Sequence, residues 1–286
     1  MPRETLCVGL AGARYAIERP WGDIPLGRGL VSDVACDARD HVFVLLRHDA
    51  YVDPDLPSVV ELAPDGTRLA AWGAGEIADG HMLTCAPDGR VFVVDRDAHQ
   101  IVVFDAKGAR LGAIGDRHVP QAPFNHPSSV AVAPWGDIYV ADGYGAARVH
   151  RFSATLAPLG VWGTPGQRGG EFATPHGIWA TADGRVLVTD RENDRVQVFS
   201  PEGTHLASWR GFSRPMDVCA DPAGRILVTD QVPRLHLLAA DGAPLGLCRP
   251  VLNGGHGVWM DGAGRIYLAE LSPSRLSGTA PGRWTA

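Results

Sequence analysis

The sequence predicts an all-β protein built as a six-bladed β-propeller, and three observations carry this prediction. Gly and Pro account for 35 and 22 of the 286 residues, a turn-rich composition typical of many short strands. A strand–turn–strand unit recurs six times, and further strands follow most copies. Such a pattern, with four antiparallel strands about every 40 to 50 residues, is the signature of a propeller blade. We therefore expect a single domain over residues 1–286.

The six hairpins align on the start of their first strand. Each has an apolar strand, a turn of Asp, Pro or Gly, and a second apolar strand that usually ends in Asp. The copies read SDVACDARDHVFVLLR, HMLTCAPDGRVFVVDR, SSVAVAPWGDIYVADGY, HGIWATADGRVLVTDRE, MDVCADPAGRILVTDQ and HGVWMDGAGRIYLAEL. Third strands such as IVVFDA and RVQVFS follow, and fourth strands end near Trp72, Trp162 and Trp209.

Ring closure is expected to come from the N-terminus. A propeller removes its exposed edges by closing the ring. RPWG at 19–22 resembles a fourth strand with no preceding blade, while the unit that begins at His256 has no obvious fourth strand. We expect Trp21 to belong to that last blade. The tail SRLSGTAPGRWTA either completes the blade or is disordered.

Composition excludes several function classes. The net charge is −6 and no basic block occurs, which argues against a nucleic-acid partner. The sequence has neither a run of 18 apolar residues nor a secretory signal, so we expect a cytoplasmic protein with no membrane partner. Cys36, Cys85 and Cys219 lie in apolar strand segments and are expected to be buried, reduced thiols. We also expect a monomer.

Histidines recur in one register of the repeat. The residues that begin the innermost strands are, in blade order, Ser32, His81, Ser128, His176, Met216 and His256. Alternate blades of a six-fold ring lie about 120° apart, and these strands line the central channel. Three converging imidazoles with an open fourth position are the ligand set of catalytic zinc, although imidazole also suits other transition metals. We predict a zinc site at His81, His176 and His256.

The residues that follow the second strands should surround these histidines. They are Arg47, Arg96, Gly143 with Tyr144, Arg191, Gln231 and Glu270. Arginine pairs bidentately with carboxylates, so Arg96 and Arg191, with Met216 of blade five, are candidate substrate-binding residues. For the two arginines, a solvated loop charge or an inter-blade ion pair is an equal alternative. Arg47 and Tyr144 break the repeat pattern and are candidate catalytic residues.

A recurring acid is expected to be structural. Asp95, Asp142, Asp190 and Asp230 end the second strand whether or not their blade carries a histidine. Such repetition fits turn and blade packing. We expect these carboxylates to bond to third-strand arginines, namely Arg148, Arg195 and Arg234.

The repeats resemble the NHL repeat family, whose Pro-x-Gly before the inner strand and Asp after the second strand stand here as Pro175, Gly177 and Asp190. Across about residues 40 to 270 the chain also resembles the peptidyl-α-hydroxyglycine α-amidating lyases. The motifs that carry this resemblance are LRHDAYV at Arg47, GHML at His81, FNHPSSVAVAPWGDIYVADGY through Tyr144, FATPHGI at His176, VTDREN at Arg191 and GGHGVW at His256.

The resemblance implies a reaction and roles for residues. The family has a six-bladed propeller with zinc on three histidines, and it cleaves the C–N bond of an N-acyl-α-hydroxyglycine to an amide and glyoxylate. By this resemblance, zinc would stabilise developing negative charge on oxygen. Tyr144 would move the hydroxyl proton, and Arg47 would hold the charge of the glyoxylate portion. The implied partner is a small α-hydroxy amide.

Three departures from the family pattern limit what carries over. Gly257 follows His256 where the family has an Asp linked to a structural calcium, so the basis for that calcium is missing. Gly145 follows Tyr144 where the family has a disulfide-forming Cys. No copper monooxygenase segment accompanies the motifs. We expect the chemistry to carry over but not the peptide substrate.

Two other functions remain open at this point. A metal-dependent hydrolase of lactones or esters would use the same site and add water to its products. However, a channel lined by His rather than Asp, Glu and Asn is unlike the calcium sites of other six-bladed hydrolases. A binding scaffold without catalysis is the third hypothesis, since fold alone does not determine function.

Overall fold

The computed structural model describes residues 6–251 and 253–281, and in this part of the chain the strands form six sheets of four or five antiparallel strands. Strands β1 (Cys7–Leu10) and β2 (Ala13–Glu18) open the chain. Blade one contains β3 (Leu30–Cys36), β4 (Val42–Arg47), β5 (Val59–Leu62) and β6 (Arg68–Trp72). Blade two contains β7 (Gly80–Cys85), β8 (Val91–Asp95), β9 (Gln100–Phe104) and β10 (Arg110–Ile114).

The next three blades repeat this meander. Blade three contains β11 (Ser129–Val132), β12 (Ile138–Asp142), β13 (Arg148–Phe152) and β14 (Pro158–Trp162), and a short parallel pair follows, β15 (Thr164–Pro165) with β16 (Glu171–Phe172). Blade four contains β17 (Pro175–Ala180), β18 (Val186–Asp190), β19 (Arg195–Phe199) and β20 (His205–Arg210). Blade five contains β21 (Pro215–Ala220), β22 (Ile226–Asp230), β23 (Arg234–Leu238) and β24 (Pro244–Cys248). The predicted six-bladed β-propeller is confirmed.

Blade six combines the two ends of the chain. It contains β25 (Gly255–Met260), β26 (Ile266–Leu271) and β27 (Ser274–Pro281), and its outer strands are β2 and β1. Strand β2 pairs with β27 through partners such as Ile17 and Thr279. Each innermost strand contacts the innermost strand of the next blade, and β25 contacts β3. The central channel is therefore surrounded by six strands.

The predicted strand at RPWG is wrong, because the fourth strand of blade six ends earlier, at Glu18. Pro20 has no backbone N–H to donate to a strand partner, which accounts for an end at this point. Trp21 nevertheless packs on blade six, with its ring centroid 4.8 Å from that of Tyr267. The tail completes this blade as far as Pro281 by forming β27, and residues 282–286 lie outside the described residues.

Tryptophans at the ends of fourth strands pack on the next blade. Trp72, Trp162 and Trp209 each cover a glycine in the turn between the third and fourth strands of the following blade. A Cβ at Gly108, Gly203 or Gly242 would lie 2.3, 2.5 or 2.4 Å from the respective ring. These glycines also have φ between +83° and +90°, a region open to Gly at low cost. The recurring Trp and Gly are thus one inter-blade contact.

The recurring acid connects each hairpin to the loop that enters its own blade. Asp95, Asp142, Asp190 and Asp230 accept backbone N–H groups from Ala78, Asn125, Ala173 and Ser213, respectively. The expected arginine partners are found for two of them, Asp190 with Arg195 at 2.8 Å and Asp230 with Arg234 at 2.9 Å. Asp142 instead lies 3.3 Å from Nε2 of His150, so the predicted contact with Arg148 is wrong.

Helical structure is confined to one 3₁₀ turn, Arg191–Asn193, in the described residues. No helix there has the length and apolar character needed to cross a membrane.

Cys36 and Cys219 are buried and Cys85 is half-buried. Burial raises the pKa of these three thiols well above the ordinary value, as expected for unreactive cysteines.

Candidate metal centre and active site

Three histidines converge on the channel axis. His81, His176 and His256 are each the second residue of an innermost strand, on β7, β17 and β25. Their candidate ligand nitrogens all lie within 4.8 Å of one another, and all three side chains are buried. The ring centroids are separated by 4.8 to 5.2 Å. The structure thus brings together the trio that the repeat register predicts.

The next blade fixes the orientation of each imidazole. Nδ1 of His81, His176 and His256 lies 2.6, 2.8 and 2.7 Å from the backbone carbonyl oxygens of Ser128, Met216 and Ser32. A carbonyl can only accept, so Nδ1 carries the proton and Nε2 keeps its lone pair. Such a partner on the second nitrogen is the usual support of a metal-bound imidazole.

The histidines are neutral at physiological pH. Burial lowers the pKa of His256 to about 4. Burial, followed by the neighbouring imidazoles, holds the pKa of His81 well below the ordinary value, and burial, His256 and Arg191 do the same for His176. Desolvation disfavours the charged form of an imidazole. Three neutral nitrogen donors therefore face one another at pH 7.

Tyr144 closes the site on the side of blade three. Its hydroxyl oxygen lies 3.0 Å from Nε2 of His81 and 2.9 Å from Nε2 of His176. Because Nδ1 of each ring is protonated, Nε2 accepts, and the single phenolic proton can be donated to one ring at a time. The guanidinium carbons of Arg96 and Arg191 each lie 5.4 Å from the Tyr144 ring centroid.

The three predicted arginines lie beside the histidines at one mouth of the central channel, and each is paired with an acid. Arg47 binds Asp79 with Nε at 2.6 Å and Nη2 at 3.2 Å. Arg96 contacts the same carboxylate with Nη2 at 2.8 Å. Arg191 lies 3.0 Å from Glu192. Arg96 and Arg191 therefore form the ion pairs of the alternative prediction, and their role in substrate binding stays a prediction.

Glu270 is not part of the ring around the histidines, contrary to the prediction. The register pairs Gly255 with Glu270 as it pairs Pro175 with Asp190, so Glu270 occupies the position of the recurring acid. Its buried carboxylate accepts hydrogen bonds from Arg275 and Ser277.

Met216 and Gln231 lie together in blade five. The side chain of Met216 is buried, with its sulfur 3.5 Å from Nε2 of Gln231. The backbone carbonyl of Met216 accepts from His176, so its clearest contact with the site is made through the main chain. A role in substrate binding for Met216 stays a prediction.

A pair of aspartates lies one residue further along the channel, a feature that the repeat pattern did not predict. Asp33 Oδ2 accepts the N–H of Leu83 at 2.8 Å, and Asp217 Oδ2 accepts that of Val258 at 2.9 Å. Burial, followed by repulsion from Asp217, raises the pKa of Asp33, and burial raises that of Asp217 to about 7. Their only sequence signal is that both follow the register residue of a blade without histidine.

Gly257 is tightly packed against Asp33. A Cβ at residue 257 would lie 1.9 Å from Asp33 Oδ1. The Asp that the resemblance places after the third histidine therefore has no room here. The carboxylate next to residue 257 is therefore that of Asp33 in blade one, and blade six provides none at this position.

Comparisons with known proteins find relatives of this chain. The family model described as NHL repeat matches residues 124–152 and 172–199. The chain is 38% identical over 137 residues to the probable peptidyl-α-hydroxyglycine α-amidating lyase pgal-1 of Caenorhabditis elegans, covering 45% of this chain and 39% of that protein. It is 34% identical over 225 residues to peptidyl-α-hydroxyglycine α-amidating lyase 1 of Drosophila melanogaster, covering 72% and 40%. The chain thus spans about two fifths of these relatives.

A solved structure has the same fold at low sequence identity. A gluconolactonase from Xanthomonas campestris superposes with a TM-score of 0.71 and 16% identity, over 95% of this chain and 90% of that one. At this identity the likeness concerns the fold alone. The chain is a six-bladed β-propeller with NHL repeats that resembles the peptidyl-α-hydroxyglycine α-amidating lyases.

Proposed function

We propose that this protein is a zinc-dependent lyase that cleaves the C–N bond of an α-hydroxyglycine-type amide, releasing an amide and glyoxylate or a related aldehyde. The observation that carries the proposal is the meeting of three buried, neutral imidazoles with the Tyr144 hydroxyl. The names of the worm and fly relatives support the same chemistry.

His81, His176 and His256 would hold the zinc ion. The donor set fits, since three neutral imidazoles with Nδ1 bonded to backbone carbonyls match a catalytic zinc site with an open position. When bound, zinc supplies a Lewis acid that stabilises negative charge on a substrate oxygen.

Tyr144 would carry the proton of the reaction. As the hydroxyl carbon becomes an aldehyde, its O–H proton is lost, the electron pair of the C–N bond passes to nitrogen, and nitrogen gains one proton. Water is not consumed. The Tyr144 phenolate can accept the hydroxyl proton, and the phenol so formed can donate that proton to nitrogen. Tyr144 is 38% exposed, so a substrate can reach it. Its hydroxyl also lies 3.4 Å from Nη1 of Arg191, a donor suited to a developing phenolate.

Arg47, Arg96 and Arg191 would bind the substrate carboxylate. All three lie close enough to the imidazoles to lower their pKa values. Their N–H groups not used by Asp79, Asp97 and Glu192 can donate to a carboxylate of glyoxylate type. Electrostatic stabilisation of this kind supplies a large part of catalysis in many enzymes.

The direct test combines elemental analysis with product analysis. Protein purified without chelator is expected to hold about one zinc per chain and to release glyoxylate from N-benzoyl-α-hydroxyglycine, with no oxygen from labelled water in the amide. A protein that holds no transition metal, and whose turnover survives His176→Ala, would exclude the zinc-dependent lyase. Hydrolysis of lactones or esters with water added to both products would instead favour the hydrolase.

A further inference from the structure

Asp79 connects two arginines from different blades at the mouth of the channel. It lies just before β7, outside the repeated hairpin. Its Oδ1 accepts Nε of Arg47 at 2.6 Å, and its Oδ2 accepts Nη2 of Arg47 at 3.2 Å and lies 2.8 Å from Nη2 of Arg96. One carboxylate thus holds two guanidinium groups side by side.

The main chain holds Asp79 in this position. The Asp79 N–H donates to Oδ1 of Asp95 at 2.9 Å, and the Asp79 carbonyl accepts the N–H of Arg96 at 3.0 Å. The side chain is 14% exposed. Flexible surface ion pairs contribute little, but this acid is ordered by backbone contacts and is largely shielded from solvent.

We propose that Asp79 is a specificity-determining residue, an internal counter-ion that orients Arg47 and Arg96 and limits how tightly they hold a bound carboxylate. This inference rests on the proposed function only in taking that ligand to be a carboxylate of glyoxylate type. Asp79 occupies the Nε–Nη2 edge of Arg47, which leaves Nη1 for a ligand. A carboxylate bound there faces a second negative charge across one guanidinium group.

Asp79 is therefore expected to weaken the binding of anions and to make their dissociation faster. Two negative charges a few ångströms apart in a partly buried site repel strongly enough to change affinity severalfold. A site with two unpaired arginines would retain a carboxylate product, and product release limits turnover in many enzymes. With Asp79 present, the arginines are ordered before the ligand arrives, and the ligand leaves more readily.

Asp79→Asn removes the charge and keeps the shape. The probe is N-benzoylglycine, which has the carboxylate and the acyl amide but not the hydroxyl. Its binding to the protein as purified, with the zinc content measured, is followed by calorimetry. We expect about tenfold tighter binding in this variant. N-Benzoylglycinamide, which lacks the carboxylate, should bind both proteins equally.

Asp97→Asn is the matched control. Asp97 pairs with the same Arg96, but its side chain is 52% exposed, so solvent screens its charge and we expect less than a twofold change. Zinc content and the thermal midpoint show whether each variant is folded. Asp79→Ser, which also removes the charge, replaces Asp79→Asn if that variant does not fold.

The outcomes separate this inference from the proposed lyase. Unchanged or weaker binding of N-benzoylglycine to folded Asp79→Asn overturns the inference, even when the parent protein releases glyoxylate. A loss of zinc or of stability with unaltered affinity assigns Asp79 a purely structural role and overturns it equally. Tighter binding in a protein whose parent form never releases glyoxylate supports the inference and contradicts the proposed lyase.

Discussion

Blades two, four and six differ from blades one, three and five at the second residue of the innermost strand in the histidine blades and at its counterpart in the others. The former carry His81, His176 and His256, which meet on the axis. The latter carry Ser32, Ser128 and Met216, whose backbone carbonyls accept hydrogen bonds from Nδ1 of those imidazoles. One set of blades provides candidate ligands and the other provides their orientation. A repeat of six equal units thus becomes a site with three-fold character.

The alternation continues further along the channel. Asp33 and Asp217 come from blades one and five, and they accept N–H groups from Leu83 and Val258, two residues beyond a histidine in the neighbouring blade. In blade four the N–H of Gly177, one residue beyond the histidine, donates to the hydroxyl of Thr189 at 2.6 Å. Blades one and five, which lack the histidine, therefore supply the two carboxylates at this depth of the channel.

Removing an imidazole should have the largest effect. His176→Ala deletes one of three candidate ligands, so we expect zinc affinity to fall by about a thousandfold or more, which corresponds to roughly 4 kcal/mol. A competing chelator titrated against the zinc-loaded protein measures this. His205→Ala, on the outer strand of the same blade, is the control and should retain zinc. Equal zinc affinity in both variants would show that the trio is not the metal site.

The sequence predicted this alternation because both of its components are periodic. Repeated hairpins with Trp and Gly at fixed positions identify the blades, and the histidine register follows from their alignment. Glu270 stands as far from His256 as Asp190 stands from His176, so the spacing in the sequence already aligns Glu270 with the recurring acid. The prediction that grouped Glu270 with Arg191 was off by one residue. Asp79 could not be found this way, because it lies in a non-repeated segment and contacts a neighbouring blade.

The aspartates of blades one and five should make stability depend on pH. The folded pKa of Asp217, about 7, lies above its ordinary value of about 3.9, so folded protein binds this proton more tightly. Its contribution is complete below about pH 4 and is lost as the pH rises through 7, by up to about 4 kcal/mol. Asp217→Asn cannot titrate. Its free energy of unfolding relative to the parent should therefore rise over this range.

Urea unfolding of both proteins in chelator at pH 5 and pH 8 measures that difference. Histidine titration, whose effect on stability has the opposite sign, is common to both proteins and cancels. Asp183→Asn, at an exposed turn of blade four, is the control and should leave the pH dependence unchanged. A difference between parent and Asp217→Asn that is the same at both pH values would contradict a buried, protonated Asp217.

Exchanging the carboxylate between blades tests whether blade one has taken over a position of blade six. Gly257→Asp would place its Cβ 1.9 Å from Asp33 Oδ1 and add a charge beside Asp33, so we expect a loss of about 3 kcal/mol. The double variant Asp33→Ser with Gly257→Asp should be more stable than the sum of the single effects predicts. Additive effects in thermal or urea unfolding would show that the two positions do not compete.

The smallest effect should come from a side chain of a blade without histidine. Ser128 Oγ lies 2.7 Å from the carbonyl oxygen of Pro175 and is buried, so Ser128→Ala should cost about 1 kcal/mol of stability. Zinc affinity should change less than twofold, because the Ser128 carbonyl that accepts the hydrogen bond from His81 belongs to the main chain and is still present. The chelator titration used for His176→Ala measures this. A loss of zinc comparable to that of His176→Ala would mean that the Ser128 side chain, rather than its backbone, orients the imidazole, and the distinction between the two sets of blades would fail at blade three.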